Sequence, residues 1–273
     1  METSTPSLIQ WHPAFVEALQ LELDNYRDTL EFYPEYQLSK GPLKIDCVVI
    51  KKKKGVVIKK NIAAIFRETN ILEYKSPDQS VLVADFYKAY AYVCLYSSFE
   101  NVQITKMTLS FVVSRYPREL LSHFSKIRRF RVEESSPGIY TVKGDILPIQ
   151  VINSSRLSAD ENLWLKSLSN KLEALAAKRV LEEVNREKIA DKVQAYIDVI
   201  SSANFRTIEE AIRMSDEAKS LDDVFIRTGM AARWEERKAL DIAHNLVNLG
   251  FPIETVVSAT KLDIDKVKGL YQR

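Results

Sequence analysis

The 273-residue chain is short of several things that would have narrowed its function. It has 2 cysteines, Cys47 and Cys94, both set among apolar residues. That is no disulfide framework, and they read as small buried hydrophobes of a reducing compartment. Its 3 histidines, His12, His123 and His244, are far apart and lack clustered cysteines, which excludes a zinc finger. With 7 glycines and no G-x-G-x-x-G after any apolar run, a dinucleotide fold is a poor fit. Neither sign of charge dominates: 39 Lys and Arg face 37 Asp and Glu, a formal net charge of +2. Any contact with nucleic acid must therefore come from a local patch. No apolar run reaches the ~18 residues that span a bilayer, and Met1 to Gln10 lack the basic-then-apolar pattern of a signal peptide. The expectation is a cytoplasmic protein with no membrane partner. There is no internal repeat and no long Gly/Ser/Pro linker.

What is present divides into two textures. Residues 1–155 read as an α/β unit and 156–273 as helical. Pro13 to about Arg27 predicts a first helix, with Pro in the first turn, where its missing N–H costs nothing. Leu30 to Leu38 and Leu43 to Lys51 predict strands, the second apolar on both faces and so covered on both sides. Val56 to Lys60 predicts the return strand of a hairpin. Ile71 to Lys75 predicts a further strand, stopped by Ser76-Pro77. Asp78 to about Ser97 predicts a helix, Ile104 to Tyr116 a strand, Arg118 to Lys126 a helix, and three short strands follow up to Ile152. Ser158 to Glu161 and Thr207 to Glu210 have the capping-box pattern that opens helices. A long helix from about Asp222 to Leu249 ends at Gly250-Phe251-Pro252. The last two helices, Ile253 to Ala259 and Ile264 to Tyr271, have helix-turn-helix spacing, although an ordinary helical hairpin fits their few polar residues better. The helices from Asp160 to Ile200 leave a homo-oligomer open.

Charge inside apolar strands is the informative anomaly. Asp46 closes Lys44-Ile45-Asp46, and Glu73 and Lys75 sit in Asn70-Ile71-Leu72-Glu73-Tyr74-Lys75. Residues two apart on a strand face the same side, so Glu73 and Lys75 act together. A buried lone carboxylate is costly. Two neighbouring carboxylates that hold a hard divalent cation, with a lysine beside the attacking water, suit phosphodiester hydrolysis. A Glu–Lys pair on a solvated face, with no function, is the plain alternative.

The ordered set of segments Ile9 to Pro13, Pro42 to Asp46, Asn70 to Asp78, Asp85 to Tyr90, Gly144 to Gln150 and Glu161 to Leu165 resembles the PD-(D/E)xK nuclease superfamily. Within it, the segments resemble the Rpn branch of recombination-promoting, transposase-like nucleases. The resemblance covers residues 9–170, with a looser match at the C-terminus. It implies a restriction-endonuclease-like mixed sheet flanked by helices, followed by an all-helical C-terminal region. It also implies a Mg²⁺- or Mn²⁺-dependent DNA endonuclease, linked to recombination or transposition. Asp46 and Glu73 match the metal-binding acids and Lys75 the catalytic lysine. Glu22 on the first helix matches an additional acid near the metal, with Glu17 competing for that role. Ile45 departs from the proline that often precedes the aspartate. Lys88, with Tyr87 and Tyr90, lies where relatives contact DNA, although such tyrosines more often pack. Lys52, Lys53 and Lys54 form a basic cluster that suits phosphate contact, or merely a solvated tip, and Arg128, Arg129 and Arg131 are equally ambiguous. The alternative to an enzyme is a catalytically silent nucleic-acid-binding or assembly protein that keeps the fold.

Overall fold

The computed structural model describes residues 11–34, 47–186, 193–214 and 230–271. The chain divides into two compact units, Met1–Leu181 with Ala195–Met214, and Glu182–Gln194 with Ser215–Arg273.

The first unit opens with helix α1 (Trp11–Glu22), which buries Trp11, Ala14, Phe15, Val16, Ala18, Leu19 and Glu22. It stops short of Arg27. Asp and Asn have low helix propensity, and from Asp24 the chain tightens into a 3₁₀ turn, Asp24–Thr29. Strands β1 (Leu30–Tyr33), β2 (Cys47–Lys52) and β3 (Thr69–Tyr74) precede helix α2 (Val83–Phe99) and strand β4 (Met107–Val113). Helix α3 (Arg118–Ser122) runs on into a π-helical turn, His123–Ile127. Strands β5 (Arg131–Ser136), β6 (Ile139–Lys143) and β7 (Ile149–Asn153) complete the sheet.

Among the described residues seven strands form one mixed sheet in the order β1-β2-β3-β4-β7-β6-β5. β1, β2 and β3 are an antiparallel meander; β3, β4 and β7 run parallel; β6 and β5 return antiparallel. The mixed α/β sheet with flanking helices is thus present. One face carries Val49, Ile71, Leu109, Phe111 and Val151 against Phe86, Ala89, Val93 and Tyr96 of α2. The other face is covered too: Leu72 and Val112 are buried, and Phe15 of α1 stacks on Tyr74. Burial on both sides explains the near-continuous apolar runs of β2 and β4.

Several sequence expectations are corrected. Val56 to Lys60 is not a strand. Both edges of β2 are taken by β1 and β3, and the segment is held instead by Lys52 Nζ donating to the Val56 carbonyl at 2.7 Å. α2 begins at Val83 and not at Asp78, because Ser76 to Gln79 is a turn and the Asp85 carboxylate accepts the Leu82 N–H at 2.7 Å. The Ser158 to Glu161 box opens no helix. It forms a turn, and helix α4 (Leu163–Ser167) starts after it. Thr207 lies inside helix α7 (Phe205–Arg213), which follows α5 (Ala174–Arg186) and α6 (Gln194–Ala203). Cys94 is exposed on α2, so it is not a buried hydrophobe.

After β7 the described residues are helical, and α4, α6 and α7 belong almost wholly to the first unit. In the second unit, α8 (Met230–Asn248), α9 (Ile253–Thr260) and α10 (Ile264–Tyr271) pack around Ala243, Val256, Leu262 and Val267. Gly250, at φ +81°, ends α8 with Phe251 N–H returning to the Leu246 carbonyl, the C-terminal glycine cap expected from the sequence.

Candidate active site at the end of the third strand

Glu73 is the last buried side chain of β3 on the α2 face, with 4% of its surface exposed. It is aligned with Cys47 on β2 and Phe111 on β4. Lys75 lies just past the strand but stays extended, because its N–H donates to the Val112 carbonyl at 3.0 Å. Strand alternation then returns its side chain to the side of Glu73. Lys75 Nζ is 2.9 Å from Glu73 Oε1 and 3.0 Å from Asp85 Oδ1. Asp85 thus fixes both the start of α2 and the position of the lysine.

Burial opposes the Lys75 charge, but the hydrogen bonds and charges of Glu73 and Asp85 outweigh it, and the ammonium is held above the ordinary lysine value. Lys75 is therefore a cation at neutral pH. It can orient a water or stabilise developing negative charge, but it does not take up a proton in this arrangement. Sequence reading missed Asp85. Its signal was the position three residues after Leu82, where a carboxylate reaches back to the first free N–H of a helix.

Asp46 lies outside the described residues. A Mg²⁺ ion is satisfied by one or two carboxylates with waters and substrate phosphate. Glu73 supplies one such carboxylate, so the donor type fits. Asp85 is committed to the Leu82 N–H and the lysine. Among the described residues no group of three His, Cys, Asp or Glu side chains converges on one point.

Glu22 is not brought to this cluster. Phe15 and Glu22 are seven apart on α1, hence on one helix face, and Phe15 stacks on Tyr74 with ring centroids 4.3 Å apart. Tyr74 points away from its neighbours Glu73 and Lys75 across the sheet. Glu22 Oε2 pairs with Lys60 Nζ at 2.7 Å, and Glu22 Oε1 accepts the Leu165 N–H at 3.0 Å. Burial raises its pKa, and Lys60 and the Leu165 and Trp164 N–H groups oppose that rise only in part. Glu17 behaves alike, accepting the Ala195 and Tyr196 N–H groups at 3.3 and 2.6 Å. Both carboxylates cap helix N-termini, α4 and α6, from a distant helix, where backbone donors and the helix dipole favour negative charge.

The basic candidates are dispersed. Lys52 closes the turn after β2, while Lys53 and Lys54 are exposed beside Gly55. Lys88 is exposed on α2, with its Nζ 5.6 Å from the Tyr92 ring centre. Tyr90 donates to Asp145 at 3.0 Å, and burial together with that bond pushes its pKa to about 12. Arg128 pairs with the same Asp145 at 3.3 Å, and Arg131 pairs with Glu133. Neither arginine is a bare phosphate ligand.

No protein-family model, curated protein or solved structure matches this chain.

Proposed function

We propose that this chain is a metal-dependent DNA endonuclease of the PD-(D/E)xK type, with Glu73 and Lys75 in its active site. One observation carries the reading: a buried glutamate and a lysine share one side of a strand end and touch at 2.9 Å. The element order supports it. A helix, an antiparallel three-strand meander, a crossover helix and a parallel fourth strand are what a restriction-endonuclease-like core requires. Glu73, with Asp46, which precedes β2 in the sequence, is the pair proposed to hold Mg²⁺ or Mn²⁺. A bound ion of this kind supplies Lewis-acid help and lowers the pKa of a water. Lys75, as a cation, would orient an attacking water and offset charge on the phosphate. Asp85 is a positioning residue that holds the Lys75 ammonium toward Glu73.

The second reading, a catalytically silent protein that retains the fold, is favoured by the same cluster seen differently. Lys75 is already held by two carboxylates, the pattern of a structural ion network.

The test is cleavage of plasmid DNA, linear DNA and RNA by the full chain with Mg²⁺, with Mn²⁺ and with EDTA. The nuclease reading expects metal-dependent cutting that falls about a hundredfold or more in Lys75→Ala and Glu73→Gln. Intact nucleic acid across metals leaves the silent reading, and undiminished cutting by Lys75→Ala removes Lys75 from the active site and with it the nuclease assignment.

A further inference from the structure

A cavity of about 410 Å³ opens where three parallel strands end. Pro77 follows β3, Arg115 follows β4 and Ser155 follows β7, and the opposite wall is the connection from α4 to α5. Open α/β sheets commonly take their ligands outside the carboxyl ends of parallel strands. The volume lies within the range of small-molecule sites.

Its chemistry is one-sided. Arg115, Lys166 and Lys171 line it against one carboxylate, Glu173. Among the described residues none of the three cations is in an ion pair. Two are nevertheless held in place by carbonyls: Arg115 Nε donates to Pro77 at 3.1 Å and Lys166 Nζ to Ser155 at 2.9 Å. Each keeps further donors, the terminal guanidinium nitrogens and two ammonium protons. Like charges gathered round one opening repel one another, and an anion with several acceptor oxygens relieves that repulsion.

We propose that this cavity binds a phosphate-bearing ligand through Arg115, Lys166 and Lys171. The phosphate belongs either to a nucleic-acid strand or to a free nucleotide or inorganic phosphate. Binding here does not depend on cleavage at Lys75. Pro77 is two residues beyond Lys75, so their Cα atoms are at most about 7.6 Å apart, and a strand seated in the cavity would pass close to the proposed active site.

The experiment uses the full chain in EDTA, so that no metal-dependent cleavage intervenes. Inorganic phosphate and adenosine monophosphate are titrated calorimetrically, and fluorescein-labelled single- and double-stranded DNA by anisotropy. Lys171→Glu and Arg115→Gln are compared with Lys126→Glu, an exposed cation outside the cavity, after thermal unfolding has shown all three to be folded. The expected result is binding that weakens about tenfold or more in Lys171→Glu and Arg115→Gln and less than about twofold in Lys126→Glu. Loss confined to phosphate and the mononucleotide identifies a small ligand, and loss confined to DNA identifies a strand. Absence of binding by every probe, or equal effects of all three substitutions, overturns the proposal. A wild-type protein that cuts nothing with either Mg²⁺ or Mn²⁺ sinks the nuclease reading and leaves this one intact.

Discussion

Phe15 lies on Tyr74 with the two ring planes 11° from parallel. Tyr74 separates Glu73 from Lys75 in sequence, yet points to the other face of the sheet. That contact assigns α1 to one face and the Glu73–Lys75 pair to the other, and it decides what Glu22 is near.

Glu22 is expected to act on stability. At neutral pH, Glu22→Ala should cost about 1–3 kcal/mol, because Lys60 and the backbone N–H groups of α4 lose their acceptor. The pH dependence has a definite sign. The folded carboxyl is held above its ordinary value of 4.5, so the proton-linked part of its contribution is full below about pH 4.5 and is lost as pH rises through the folded value, while the bonds to Lys60 and α4 remain. The stability of wild type minus that of Glu22→Gln, from urea melts, should therefore fall as pH rises above about 4.5. A flat difference contradicts this. A Glu22→Gln protein of unchanged stability that loses metal-dependent cleavage would return Glu22 to the metal site.

Lys75→Met removes the ammonium from the Glu73 carboxylate, which is 4% exposed, and should destabilise the fold by about 1–3 kcal/mol. Glu73→Leu combined with Lys75→Met should cost less than Lys75→Met alone, since the double variant removes the buried carboxylate together with its ammonium partner. A double variant weaker than the single one would show that the lysine matters mainly through Asp85.

Asn70 is fully buried and fully bonded. Its amide donates to the Ile50 and Arg67 carbonyls at 3.1 and 2.9 Å, and its carbonyl accepts from Arg67 N–H and Thr108 Oγ1 at 2.8 and 2.7 Å. It fastens β3 between β2 and β4, and so holds the strand that carries Glu73. Asn70→Ala should lose about 2–4 kcal/mol by chemical denaturation. A loss under about 1 kcal/mol would mean that water replaces the amide.

Two glycines at φ +77° should respond differently. A Cβ on Gly138 would meet the Asn153 carbonyl oxygen at 2.7 Å, whereas a Cβ on Gly55 meets nothing within 4 Å. Gly55→Ala carries only the backbone strain, about 1 kcal/mol. Gly138→Ala should cost at least about 2 kcal/mol more, because the end of β7 must move. Equal melting points for the two variants would refute the difference.

Local pattern was enough for the element types that bury a continuous apolar face, α1, β2, β3, β4 and α2, and for the cap at Gly250. It also set Glu73 and Lys75 on one side of a strand, because alternation is a property of the backbone. It failed where a partner distant in sequence decides. The Ser158 box looks like a helix start, but the N–H groups of α4 are taken by Glu22, far back in the chain. Val56 to Lys60 has the composition of a strand, but no edge of β2 was left for it. Cys94 sits in an apolar run, but on the outward side of its helix. Asp85 and the cavity cations come together only when strand ends and connections meet in space. Sequence by itself determined periodicity, and with it the pairing of Glu73 with Lys75. Tertiary structure decided which charges meet, since an ion pair or a cap depends on distances that spacing along the chain does not encode.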